Sequence, residues 1–171
     1  RARRPDQPGW DPARLVHSVV ATEGPTIWRP RQHLAADGTG TIVWGGRVGS
    51  FATASADLTA WREPVLLTDQ DSVIAWTTVA GNGAGRLVAA WRSLARRQVI
   101  ARRYEPGQGW LSPVAAYTAA AELPAQQGGR FELAVQDDGT ARLILTQQEQ
   151  ISVNGSPRTV TTVVATGQTP G

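Results

Sequence analysis

Apolar and β-branched residues occur along this chain in short runs, separated by Gly, Pro, Asn and Asp. Such runs between turn residues predict β-strands joined by hairpins. One set of strands is expected at Ile27 to Ala35, Thr41 to Gly46, Ser50 to Ser55 and Pro64 to Thr68. A second is expected at Ile74 to Ala80, Arg86 to Arg92, Gln98 to Tyr104 and Pro113 to Tyr117. A third is expected at Arg130 to Gln136, Ala141 to Gln147, Gln150 to Val153 and Thr159 to Ala165. Two stretches carry a competing helical pattern. Arg86 to Arg97 places Leu87, Trp91 and Leu94 on one helical face, and Ser112 to Leu123 is rich in alanine. The repeat described next favours strands for the first stretch and leaves Thr118 to Leu123 open between a short helix and a loop.

Two markers recur. A Gly turn followed by an apolar run appears as Asp37-Gly38 with Thr41 to Trp44, as Ala84-Gly85 with Leu87 to Trp91, and as Asp138-Gly139 with Ala141 to Leu145. Trp-x-x-Pro with an apolar pair appears as Trp61 to Leu66 and as Trp110 to Val114, and a shortened copy runs from Trp10 to Val16. The period of about 50 residues falls in the range of propeller-type arrays. Four short strands per unit of that length make one propeller blade. The predicted fold is therefore all-β, a β-propeller-like stack of four-stranded antiparallel blades. A single repeat domain, 1–171, would hold a partial blade at 1–20 and blades at 26–68, 73–117 and 129–167, about three and a half in all. That number fits a sector of a larger ring, an open stack or half of a dimer, because an uncovered blade face invites association.

Composition narrows the chemistry. The chain has 171 residues, no cysteine and no methionine. Disulfides, thiolate chemistry and cysteine zinc sites are thereby excluded. No run has the length of a membrane-spanning helix. The lack of methionine leads us to expect a processed chain or a piece of a longer repeat protein. All 17 basic residues are arginine, and the net charge is only +3. A field that weak does not argue for nucleic acid. The lysine-free, Arg/Ala/Gly-rich usage points to a GC-rich bacterial coding sequence. The densest basic region, Arg92, Arg96, Arg97, Arg102 and Arg103, reads as a solvated face on which Arg102 and Arg103 alternate sides. Gly81-Asn82-Gly83-Ala84-Gly85 matches no phosphate-loop pattern and reads as a hairpin turn. Asp69 and Asp71 lack the other positions of an EF-hand and read as loop residues. Asp138 is expected to cap its turn. The two histidines, His17 and His33, form no metal-ligand or nucleophile motif and read as strand residues.

Ser55-Ala56-Asp57-Leu58-Thr59-Ala60-Trp61 resembles the Asp-box of sialidase-like β-propellers of bacteria, a Ser-x-Asp-x-Gly-x-x-Trp turn between the third and fourth strands of a blade. Ser55 and Asp57 match, Thr59 stands in place of the Gly, and the Trp falls one position early. Glu105 to Trp110 is a looser copy. The resemblance implies that the Asp caps turn amides and the Trp packs between sheets, so Trp10, Trp61 and Trp110 are expected as packing anchors. Trp44 and Trp91 fall on repeat positions as well. A catalytic sialidase would need an arginine triad, a Tyr/Glu pair and an acidic Asp. Trp28-Arg29-Pro30 only partly matches the first arginine's motif, and Tyr104 and Tyr117 occupy ordinary strand positions.

The expected function is therefore a secreted or cell-surface module that binds a protein or carbohydrate without catalysis and needs no cofactor or metal. The alternatives are a fragment of a sialidase-like glycoside hydrolase and a self-associating structural scaffold. Propellers bind ligands near the axis, where the first strands of the blades begin. The site residues expected there are Trp28, Arg29, Arg47, Trp76 and Arg130. Indole faces stack on sugar rings, and guanidinium forks grip carboxylates.

Overall fold

The computed structural model describes residues 27–46, 49–58, 60–68, 74–93, 97–119, 131–154 and 156–168. Every regular element among them is a β-strand. The first sheet holds β1 (Ile27–Leu34), β2 (Gly40–Gly46), β3 (Gly49–Ser55) and β4 (Val65–Leu66), in that order. The second holds β5 (Ile74–Gly81), β6 (Leu87–Ser93), β7 (Gln98–Glu105), β8 (Gly109–Trp110) and β9 (Val114–Thr118), with β8 and β9 both paired to β7. The third holds β10 (Phe131–Val135), β11 (Ala141–Val153) and β12 (Ser156–Gln168). All pairings are antiparallel between chain neighbours, apart from β9 returning to β7.

The recurring Gly turn is one physical object made three times. Ala35, Asn82 and Gln136 each donate their N–H to the carbonyl four residues on, at Thr39, Arg86 and Thr140. Gly38, Gly85 and Gly139 each donate back to Ala35, Asn82 and Gln136. Each glycine has φ between 76° and 88°, a left-handed conformation that costs a residue with a Cβ. Asp37 and Asp138 accept from the N–H two residues on, at 2.8 and 2.7 Å. Bonds from the Thr39 and Thr140 hydroxyls and amides hold both carboxyls below the usual carboxylate range.

Burial explains why the apolar runs differ between units. Strand β6 is buried from end to end. Ala89 and Trp91 enter a core shared with Val43, Ala52 and Leu67 of the first sheet or its margin. Val88 and Ala90 enter a second core with Ala141, Leu143 and Leu145 of the third. A strand covered on both faces needs an unbroken apolar run, and Leu87 to Trp91 supplies it. In β11, by contrast, Ala141, Leu143 and Leu145 are buried while Arg142 and Ile144 are exposed. That alternation marks a sheet covered on one face.

Burial dissolves the expected solvated basic face. Arg92 is only 2 % exposed, and burial pulls its pKa down. Arg102 is half-buried, and its guanidinium donates to the carbonyls of Leu66, Leu67, Trp110 and Leu111. Arg97 lies in the exposed turn before β7, and Arg96 lies outside the described residues. A clasp at the second seam uses Asn82, whose side chain caps its own turn at Ala84 and Arg86 and donates to the Gln136 carbonyl at 2.9 Å.

The strands expected at Arg86 to Arg92 and Pro113 to Tyr117 are present as Leu87–Ser93 and Val114–Thr118. Two other expectations need correction. The third unit has three strands, because β11 runs unbroken through Gln147 to Gln150 and turns only at Asn154, where φ is 51°. Asn-Gly is a strong hairpin turn signal, while Gln and Glu have no turn preference. The expected strand Pro64 to Thr68 contracts to Val65–Leu66. Residues 1–26, with the partial blade and Trp10, lie outside the described residues, as do Asp69 and Asp71.

Candidate functional site

The first strands of the three sheets come together, with β5 touching both β1 and β10. A cleft of about 670 Å³ opens at this junction. Arg31 comes from β1, Trp76, Thr77 and Thr78 from β5, and Phe131, Glu132 and Leu133 from β10.

Two irregularities shape it. In β1 the register with β2 slips between Trp28 and Arg31, and in β5 the register with β6 slips between Ala75 and Thr77. They occupy corresponding levels, since Trp28 faces Gly45 and Ala75 faces Arg92, each one residue after the large tryptophan of the repeat. A bulge re-aims side chains that simple alternation would send elsewhere. Trp76 is the bulged residue of β5, and its φ of 63° is a conformation that bulky side chains rarely adopt. Thr77 fixes the chain just beyond it. Its hydroxyl lies 2.8 Å from that of Ser50, with both residues buried, and so ties β5 to the first sheet. Backbone held in such a conformation by its surroundings tends to occur at binding sites.

The site is chemically mixed. Trp76 and Phe131 offer aromatic surface, the Arg31 guanidinium offers forked donors, and Glu132 is the only carboxylate among the described lining residues. Among the described residues no three His, Asp or Glu side chains converge to hold a metal ion.

Of the residues expected from sequence, Trp76 lines the cleft. Trp28 lies on β1 at the start of its irregularity and Arg29 lies within it. Arg47 and Arg130 lie outside the described residues. Arg31 and Phe131 were not anticipated. Pro30 is the signal for Arg31, because a proline inside a strand marks a bulge or an edge and warns that the facing side changes.

Tyr104 and Tyr117 lie on β7 and β9, away from the cleft. Tyr104 meets Trp110 edge-to-face at 5.5 Å, and Tyr117 packs on the second core. Trp44 and Trp91 are 4 % and 1 % exposed, and Trp110 packs on the first core. Trp61 is half-buried over the start of β2, where a Cβ on Gly40 would lie 3.3 Å from its ring. The Asp57 carboxylate of that turn accepts from the Ala60 N–H at 3.4 Å.

His33 sits at the opposite end of β1, against Gly81 of the second sheet. A Cβ at position 81 would come within 2.7 Å of its Nε2. That nitrogen is buried with no hydrogen-bond partner, and desolvation lowers the pKa from 6.5. The unfolded chain therefore takes up a proton first as the pH falls. Stability from the neutral imidazole is complete above pH 6.5 and declines as the pH falls from there toward the lowered folded value. Urea titrations at pH 8 and pH 5 should show this loss. His33→Gln should remove most of it and His17→Gln should leave it in place; the reverse result would refute this assignment.

Among the described residues no helix is long and apolar enough to cross a membrane. The chain matches no protein-family model and no curated protein.

Proposed function

We propose that the three sheets are blades of a β-propeller-like stack and that the cleft binds a carbohydrate or protein ligand without catalysing its conversion. The observation that carries this reading is Trp76, a half-buried indole set on a bulge at φ 63° in a cleft that also holds Arg31, Phe131 and Glu132. An aromatic platform beside forked donors and a carboxylate is the chemistry that grips a sugar ring or a polar side chain. The blade reading is supported by the three equivalent turns, the stacking of the second sheet between its neighbours, and the meeting of β1, β5 and β10. The Asp57 turn adds to the likeness with sialidase-like repeats. A secreted or surface location is part of the same proposal.

The test is an array of neutral and acidic oligosaccharides, followed by titration calorimetry on any that bind. Trp76→Ala and Arg31→Ala should each weaken binding by about tenfold or more, with the chain still folded by circular dichroism. Binding that both variants leave unchanged would remove the cleft as the site. Turnover of a fluorogenic sialoside would favour the hydrolase alternative.

A further inference from the structure

We propose that the outer face of the third sheet joins a second copy of this chain about a two-fold axis. The face away from the second core carries Glu132 and Ala134 of β10, Arg142 and Ile144 of β11, and Val163 and Ala165 of β12. Ile144 is 52 % exposed and Val163 67 %. Both project from a sheet whose other face is buried, so the exposed apolar area is contiguous with folded core.

The strand registers lay this face out as a grid. Ala134 stands opposite Arg142, Glu132 opposite Ile144, Ile144 opposite Ala165, and Thr146 opposite Val163. Ala134, Ile144 and Val163 therefore lie on one apolar diagonal, with Glu132 on one side of it and Arg142 on the other.

The occupant follows from the charges that flank the diagonal. Position 144 corresponds in the repeat to Ala90, which the third sheet buries completely. On the first sheet Val43 is at 0 % and Trp44, on the opposite side of β2, at 4 %, while Leu34 at the end of β1 is 53 % exposed. The second sheet is enclosed between two cores. The apolar diagonal is flanked by charges of opposite sign, so a second copy of the same face is its complement and the contact is isologous. A two-fold axis along the diagonal sets Ile144 on Ile144 and Val163 on Val163, and places each Arg142 opposite Glu132 of the second copy. The face is thus complementary to itself in charge, and its apolar residues meet where water is most fully excluded.

Sedimentation equilibrium of the full chain, from micromolar to millimolar concentration, should show a monomer–dimer equilibrium. Ile144→Asp and Val163→Asp should each raise the dissociation constant by at least about tenfold, with thermal midpoints measured in the monomeric range little changed. Arg142→Glu should weaken the dimer as well. Combining it with Glu132→Arg reverses both charges and should restore association to within about threefold of the parent. A monomer at every concentration overturns the proposal, as does a dimer whose dissociation constant the aspartate variants leave unchanged. A double charge reversal that stays as weak as the single one overturns the two-fold pairing.

Discussion

Replacing Trp91 by alanine should cost about 3–5 kcal/mol of unfolding free energy, the range for removing a fully buried large aromatic. Trp91 is 1 % exposed and stands in the core between the first two sheets, among Val43, Ala52, Leu67, Val79 and Ile100. All of these neighbours but Leu67 hang on strands paired by backbone ladders, which keeps them from collapsing into the vacated volume. Trp91→Phe should cost less than half as much. The indole Nε1 is buried without a hydrogen-bond partner, so phenylalanine loses packing area but also removes an unsatisfied donor. The chain itself places Leu145 at the corresponding position of the third unit, where it is 4 % exposed. Urea unfolding followed by far-ultraviolet circular dichroism measures both variants. An alanine variant that loses under about 1 kcal/mol would show that the core does not depend on this side chain.

Arg102→Ala should be the next most damaging change, at about 3 kcal/mol, because hydrogen bonds made by a charged group are stronger than neutral ones. One guanidinium serves four carbonyls, at Leu66 and Leu67 beside the first sheet and at Trp110 and Leu111 of the second. Lysine should recover only a small part of the loss, since an ammonium cannot present donors in a planar fork. Full rescue by Arg102→Lys in the same unfolding measurement would mean that charge, and not the fork, holds this seam.

Much of the architecture is written in short-range signals. The three Gly turns can be read because φ near 80° selects glycine at fixed spacing from an apolar run. The large residues six positions after those glycines, Trp44, Trp91 and Leu145, are all buried. The role of Arg102 could not be read, because two of its four partner carbonyls lie 35 and 36 residues away and any residue could carry them. The third sheet was expected with one strand too many because a break was placed at Gln148-Glu149 in addition to the turn after Val153, and neither Gln nor Glu has a turn preference. At the cleft, the composition of β5 exposed Trp76, while Arg31 depends on a bulge that inverts the facing side.

The placement of β6 between two cores has a consequence for how the molecule comes apart. The outer sheets each contribute to one core, whereas β6 contributes to both. Its amides can exchange with solvent only when both cores are lost, so they should set the upper limit of protection in the chain. Opening of the third sheet leaves one core standing, and opening of the middle sheet leaves none. Unfolding is therefore ordered from the flanks inward, as in a short linear array whose central unit couples its neighbours.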